Sequence, residues 1–358
     1  MKKIGTLTFQ NADNYGAILQ CYALHKTLAN MGVENDVINY QGDYMAKSYS
    51  LAALKRKGVI RFFLGIAYSI VRMPRKARFA ELRTHIKMTP KLNMRDLISL
   101  EEQYDGFIVG SDQVWNDSIT DFDPSYFLDF VKSPKKKLSY AASFGFEGIP
   151  NDLKIKYKDL LNDFCVYNMR EASGVEIIDS LLNKPANLVL DPTFLLTRNE
   201  WDTIACTPDQ KEKYILVYQV TLSSFLIKTV KKIVKSTGYK VVAIPFPLGS
   251  FIKAKVKLSA GPREWIGLIR DAEIVVTDSF HGSVFSILYK KKFYVCITNA
   301  PTRIYNLLNV FQLNGCLYKP GSKLELTKKI DWKKTNFILH EERKRSINFI
   351  LDMLKLKC

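Results

Sequence analysis

Residues 273–289 run Glu-Ile-Val-Val-Thr-Asp-Ser-Phe-His-Gly-Ser-Val-Phe-Ser-Ile-Leu-Tyr, and this stretch constrains the fold more than any other. Ile274 to Thr277 is a short apolar run rich in β-branched residues, and Ser283 to Tyr289 has the pattern of a buried helix. Asp278, Ser279, Phe280, His281 and Gly282 therefore fall where a strand hands over to a helix, the position at which open α/β sheets bind ligands. A helix start there brings unpaired N–H groups beside an imidazole, which suits a site that holds an anion and moves a proton near neutral pH. A purely structural reading is also open, in which the hydroxyls of Ser279 and Ser283 cap the helix and His281 packs beneath a loop. The chain has only four histidines. His25, His85 and His340 fall in ordinary helical patterns, so His281 is the one that stands apart.

The same alternation recurs along the chain. Lys3 to Phe9 reads as a strand, residues 10–14 as a polar loop, and Tyr15 to Met31 as a helix closed by Gly32, with Ala17, Cys21, Leu24, Leu28 and Met31 as its buried stripe. Asp36 to Tyr40 is a second strand, so the chain opens as βαβ. Asn11, Asp13 and Asn14 then sit at a strand's carboxyl end, either as helix caps or as ligand contacts, and Gly16 allows close approach to the backbone. Asp105 to Val109 delivers Gly110-Ser-Asp-Gln-Val-Trp-Asn116 into a loop whose polar groups and indole suit a sugar or phosphate, unless Trp115 is simply packed. Leu138–Ser143, Phe164–Asn168 and Asn187–Leu190 are further strands. Arg170 marks a strand-to-helix boundary, where a lone cation is unfavourable. It is expected to meet an anion, either a ligand or its neighbour Glu171.

Thr197 to Lys213 is polar and reads as a linker. A second α/β set follows: strand Tyr214–Val220, helix Leu226–Ser236, strand Tyr239–Pro245, a helix opened by Gly261-Pro-Arg-Glu-Trp265, and strands Glu273–Thr277 and Phe293–Ile297. A helix beginning at Thr302 carries Arg303 toward the same crevice. Glu341–Leu356 is amphipathic, with Ile347, Ile350, Leu351 and Leu354 on one face, and is expected to fold back on the first domain.

The expected architecture is α/β: two doubly wound, Rossmann-like halves facing a central cleft, as in the GT-B fold of glycosyltransferases. The expected domains are 1–200, 201–335 and a terminal helix 336–358, with a basic apolar helical insertion at about 50–90. At 358 residues and 47% apolar content the chain is long enough for two cores. A net charge of +18 favours nucleic acid, an anionic membrane or phosphorylated small molecules without choosing among them. Nucleic acid is set aside because the basic residues lack interleaved aromatics or a recognised module. The apolar stretch Val59–Val71 is too short to span a bilayer. Its basic flanks within residues 55–87 fit either an anionic membrane surface or a solvated face of an insertion packed on the first domain. The N-terminus turns polar at Gln10 before a signal-peptide core can form, and several of the six scattered cysteines fall inside apolar patterns and read as buried thiols of a reducing compartment. The expected location is therefore cytoplasmic, peripheral on the inner face of the membrane if the basic stretch docks there. No metal site is expected, since Asp121-Phe-Asp123 precedes Pro124 as an ordinary turn.

Together Asn11-Ala-Asp-Asn-Tyr-Gly-Ala17, Gly110-Ser-Asp-Gln-Val-Trp-Asn116, Tyr140-Ala-Ala-Ser-Phe-Gly145, Arg170-Glu171, Gly261-Pro-Arg-Glu-Trp265 and Thr277-Asp-Ser-Phe-His-Gly282 resemble the polysaccharide pyruvyl transferase family, from residue 1 to about 310. The resemblance implies transfer of the enolpyruvyl group of phosphoenolpyruvate to a sugar of galactose type, as a pyruvate ketal, in the synthesis of bacterial capsule or exopolysaccharide. No cofactor is implied beyond phosphoenolpyruvate as co-substrate. The acceptor is a sugar, and a lipid-diphosphate carrier would match the basic insertion. A nucleotide-sugar glycosyltransferase of the same fold is the alternative. The resemblance makes His281 the general acid and Arg170 a donor anchor. Distant family members carry an arginine two residues before that histidine; Ser279 stands there here, so Arg303 or Arg263 is expected to supply the cation. Asp278 or Asp112 would take the acceptor's proton or orient His281. Ser279, Gly282 and Ser283 would face the donor, and Asn14, Tyr15, Asp112, Gln113 and Trp115 the acceptor or loop.

Overall fold

The computed structural model describes residues 2–42, 44, 73–221, 223–244, 254–297, 302–322, 324–327 and 329–355. The apolar run Val59–Val71, Pro245 and Pro301 lie outside the described residues, so the membrane-docking expectation does too. The described residues of Met1–Ile70, Ala80–Leu195 and Glu342–Cys358 form one compact unit, and those of Val71–Phe79 and Leu196–Glu341 form a second.

In the first unit β1 (Lys3–Leu7) is followed by α1 (Tyr15–Asn30) and β2 (Glu34–Val37). Asn14, in extended conformation, starts α1 by accepting from the Ala17 amide at 3.2 Å, and the chain leaves the helix through Gly32 at φ 75°. Next in sequence, α2 (Met73–Arg83) has Met73–Phe79 in the second unit and Ala80 onward in the first. β3 (Gly106–Val109) and β4 (Lys137–Ser139) complete a sheet of order β2-β1-β3-β4, all parallel. Beyond β4 and α3 (Lys154–Leu161), β5 (Asn168–Met169) pairs in parallel with β6 (Asn187–Leu188), with α4 (Ala172–Leu182) between them. Single bridges Leu138–Val166 and Ala142–Met169 continue the ladder. The strands read as apolar runs because both faces are covered: Leu7, Phe107 and Val109 lie in one core, Ile4, Ile108 and Leu138 in another.

In the second unit β7 (Tyr214–Tyr218), α5 (Ser224–Thr237), β8 (Lys240–Ile244), β9 (Lys255–Val256), α6 (Pro262–Asp271), β10 (Ile274–Thr277), α7 (Phe280–Leu288), β11 (Lys292–Cys296), α8 (Thr302–Val310) and β12 (Leu317–Tyr318) build a parallel sheet of order β12-β11-β10-β7-β8-β9. Leu226, Val230 and Ile233 of α5 pack on Ile215, Val217 and Val276 on one face. On the other, Trp265 of α6 lies edge-on to Tyr218 at 5.2 Å and to Phe285 of α7 at 5.0 Å.

Several sequence expectations change. The supposed linker opens with a capping box between Thr197 and Glu200 and buries Trp201 against Phe285, so its first part belongs to the second unit's core. The last helix, α9 (Trp332–Lys355), begins earlier than the apolar pattern indicated. From Glu342 on it belongs to the first unit, where Ile350 and Met353 join Leu24, Leu28 and Val189, and the Ser346 hydroxyl accepts from the Leu190 amide at 3.0 Å. Leu351, expected on the buried face, is 36% exposed. Among the described residues no helix is long and apolar enough to cross a membrane.

Candidate functional site

The turn between β10 and α7 lies at the carboxyl edge of the second unit's sheet. Ser279, extended at φ −98°, is the N-cap of α7, and its hydroxyl accepts from the Gly282 amide at 3.3 Å. Its own amide donates to the Thr277 hydroxyl at 3.0 Å, and the Ser283 hydroxyl donates back to the Ser279 carbonyl at 3.0 Å. Gly282 is required by close packing: a Cβ there would stand 2.5 Å from Thr277 Oγ1 and 3.1 Å from Tyr218 Cδ1. Without a side chain the helix start can lie directly on the strand it follows. These contacts fix the first turn, which carries His281. Its residue is 9% exposed and its ring stands perpendicular to that of Phe280 at 5.1 Å. The capping expectation holds for Ser279 alone, since the Ser283 hydroxyl donates to a carbonyl within the turn and caps no N–H group; the imidazole sits on the first turn, where backbone N–H groups and the helix dipole favour an anion.

Asp278 serves a different end. Its carboxylate accepts from the Val220 amide at 2.6 Å, the Thr221 amide at 2.8 Å and the Thr221 hydroxyl at 2.6 Å. It is an anchor for the turn after β7, and the structure thereby shifts it from the orienting or basic role expected of it.

The two arginines considered as replacements for a cation at Ser279 differ. Arg263, on the first turn of α6, gives its Nε to the Ile204 carbonyl at 2.9 Å while its own carbonyl accepts from the Cys206 amide at 3.0 Å, tying α6 to the preceding segment. Arg303 is on the first turn of α8, half-buried. Helices α7 and α8 follow adjacent parallel strands, so their first turns share the carboxyl edge of the sheet. A cavity of about 330 Å³ in this unit lies elsewhere, beside Lys292, where β11 begins, with Tyr294, Phe311, Cys316 and Lys334 among its walls. None of the candidate residues lines it.

In the first unit the corresponding edge is formed by residues 110–116 and 140–145. Gly110 has φ 118°, and a Cβ there would run into the Tyr140 carbonyl. Asp112, with its side chain 16% exposed, holds the left-handed φ of 79°, a strained backbone of the kind that collects at binding loops. Gln113 accepts from the Asn116 side-chain amide at 2.8 Å. Trp115 corrects the expectation of a stacking face: it is wholly buried among Phe127, Phe144 and Phe164, and its indole N–H donates to the Tyr126 carbonyl at 3.1 Å. Asn14 caps α1, and Tyr15 is buried within it.

Arg170 does meet anions, three of them. Its guanidinium lies 3.2 Å from Asp191, 3.5 Å from Asp112 and 3.7 Å from Glu171, with the side chain 1% exposed. Burial works against its charge, but Asp112, Glu171 and Asp191 outweigh that and hold its pKa above the ordinary value. Glu171 Oε1 in turn accepts from the Phe144 and Gly145 amides, and Asp191 Oδ1 from the Thr193 amide and hydroxyl. Arg170 thus links the 112, 144 and 191 loops, and the local anion foreseen at Glu171 is only part of the set. Asp191 was not foreseen, because nothing in its spacing connects it with residue 170. Sequence reading also passed over Gln219, which looks like the tail of an apolar strand but is a buried polar side chain. Among the described residues no group of His, Cys, Asp and Glu is arranged to hold a metal, and Asp123 caps a short 3₁₀ turn while accepting from the Tyr40 hydroxyl at 2.8 Å.

A family model described as polysaccharide pyruvyl transferase matches residues 14–301. No curated protein matches the chain. Among solved structures, UDP-GlcNAc 2-epimerase from Methanocaldococcus jannaschii is similar at TM-score 0.56 and 12% identity, over 98% of this chain and 99% of the other. The S. aureus MnaA–UDP co-structure gives TM-score 0.54 and 12% identity over 99% and 96%. A glycosyltransferase from Rickettsia africae ESF-5 gives 0.52 and 13% over 99% of each chain. At such identities the likeness is one of fold, an α/β arrangement of the GT-B type.

Proposed function

The chain belongs to the polysaccharide pyruvyl transferase family, and from that premise we propose that it moves the enolpyruvyl group of phosphoenolpyruvate onto two hydroxyls of a sugar residue, giving a pyruvate ketal. The observation that carries this reading is the position of His281 on the first turn of α7, at the carboxyl edge of a parallel sheet and beside the Ser279 cap.

Ketal formation from an enol phosphate begins with proton delivery to the methylene carbon. The adjacent carbon becomes oxocarbenium-like and is attacked by the first sugar oxygen. Loss of phosphate and attack by the second oxygen complete the ketal, and of the two hydroxyl protons one balances the new methyl group and the other leaves with phosphate. An imidazolium is the side chain whose ordinary pKa suits the first step at neutral pH, so His281 is assigned as the general acid. The donor's phosphate and carboxylate are both oxyanions. The N–H groups at the start of α7 and the planar guanidinium of Arg303, at the start of the neighbouring helix, are suited to them. Electrostatic stabilisation of this kind supports departure of phosphate.

Asp278 is left out of the proton path because its carboxylate is committed to Val220 and Thr221. Arg170 is assigned as a positioning residue for Asp112 and the loops around it, since its fork is already engaged by three carboxylates.

The test is to incubate the purified protein with phosphoenolpyruvate and a galactose-containing acceptor. Phosphate release that requires both substrates, together with a product heavier by the ketal group, supports the proposal. Release of a nucleoside diphosphate from a sugar nucleotide, with phosphoenolpyruvate untouched, would instead assign the chain to sugar transfer.

A further inference from the structure

Gln219 lies one residue beyond β7. Tyr218 pairs with Thr277, so the next two residues, Gln219 and Asp278, are neighbours across the carboxyl edge of the sheet. Gln219 is 1% exposed, and neither Nε2 nor Oε1 has a hydrogen-bond partner among the described residues. Folded proteins pair nearly all such groups, because water lost on burial must be replaced by another partner. A methionine or leucine would fill the same volume without that penalty. The backbone that follows is firmly held, since the Val220 and Thr221 amides both donate to Asp278. An unsatisfied amide on a fixed backbone is what a preorganised binding group looks like before its ligand arrives.

We infer that Gln219 is a specificity-determining residue that pairs with a hydroxyl group of the sugar acceptor. The chemistry of the amide selects that partner. Its carbonyl needs a donor and its NH₂ needs acceptors. Ionised phosphoenolpyruvate has only acceptors and would leave Oε1 unmet, whereas a sugar hydroxyl donates and accepts and can satisfy both ends. The inference rests on the proposed function for the identity of the sugar as acceptor, and it adds the residue that reads it.

Gln219→Met keeps the length of the side chain and removes both polar ends; Gln219→Leu serves by the same criteria if the methionine variant does not fold. Two quantities are read: the melting temperature of the free protein, and the KM values for sugar and phosphoenolpyruvate in phosphate release. The variant is expected to melt at or above the wild-type temperature. Its KM for the sugar should rise roughly tenfold, the loss of an ordinary buried hydrogen bond, with KM for phosphoenolpyruvate changed by less than about twofold. A sugar KM equal to wild type overturns the inference, as does a lower melting temperature, or failure of both variants to fold; each would make Gln219 a structural group. If the wild-type protein shows no phosphoenolpyruvate-dependent turnover, it is the proposed function that fails. The melting comparison needs no substrate, and a lower melting temperature of the variant still overturns the inference in that case.

Discussion

Asp278 and Thr221 are joined twice: one carboxylate oxygen, Oδ2, accepts from the Thr221 amide at 2.8 Å and from its hydroxyl at 2.6 Å. The other oxygen accepts from the Val220 amide at 2.6 Å. The acid that precedes the His281 turn therefore holds the chain leaving β7, and two loops at the carboxyl edge of the sheet are fixed by a single side chain.

Replacing Asp278 by alanine should accordingly act on stability first. Hydrogen bonds to a charged group contribute on the order of 1.5–3 kcal/mol each and are not additive, so a loss of roughly 3 kcal/mol is expected in urea unfolding. Asp278→Asn, which keeps one accepting oxygen, should lose about half as much. An asparagine variant as stable as wild type but without turnover would return Asp278 to the proton path.

Arg170 is expected to be intolerant of change for a related reason. Arg170→Met leaves Asp112, Glu171 and Asp191 facing one another in a buried site, and removing one partner of a buried charge cluster costs about 3 kcal/mol or more. Arg170→Lys should recover little, because a single ammonium cannot span carboxylates that a planar fork reaches at 3.2–3.7 Å. Chemical denaturation of the two variants provides the measurement, and near-wild-type stability of the methionine variant would show that the cluster is not held by this guanidinium.

The elements that could be read from sequence were those whose burial is uniform. β1, β3, β7, β10 and β11 are covered on both faces and appear as apolar runs, and α1 announces itself through Asn14 and Gly32. Reading failed where the chain turned without a change in composition. Leu138–Ser143 looks like one strand, yet pairing as a strand stops at Ser139 and Ala141 takes φ 52°, a conformation its sequence neighbours do not signal. The two-residue strands β9 and β12 are too short to show any period. At the candidate site His281 was legible because histidine is scarce and its motif joins a strand to a helix. Trp115 misled because an indole in a polar motif gives no sign of which way it faces. The partners of Arg170 were hidden because Asp112 and Asp191 lie far from it in sequence and are brought together only by parallel strands.

A pH dependence follows from His25. Its ring lies between the Asn35 side chain, 2.5 Å from Nδ1, and the Lys87 amide, which donates to Nε2 at 3.3 Å. Burial pushes its pKa below the ordinary 6.5, opposed by Asn35 and Asp36 and assisted by Lys26 and Lys87. The folded state thus binds the proton less readily than the unfolded chain. The contribution to stability is complete above pH 6.5, falls as the pH drops toward the folded pKa, and levels off below it. Unfolding free energies measured from about pH 8 to about pH 5 should show this decline in the wild type. The corresponding part of the slope should be absent in His25→Leu, and an unchanged slope would assign the decline to other groups.

The central claim is that the His281 imidazole protonates the donor. Its most direct test is the rate of phosphate release from phosphoenolpyruvate, with saturating acceptor, for His281→Ala against wild type. Loss of a general acid should lower kcat by about 10²- to 10⁴-fold, with the melting temperature and the KM for phosphoenolpyruvate little altered. An alanine variant that folds and turns over at the wild-type rate would contradict the account.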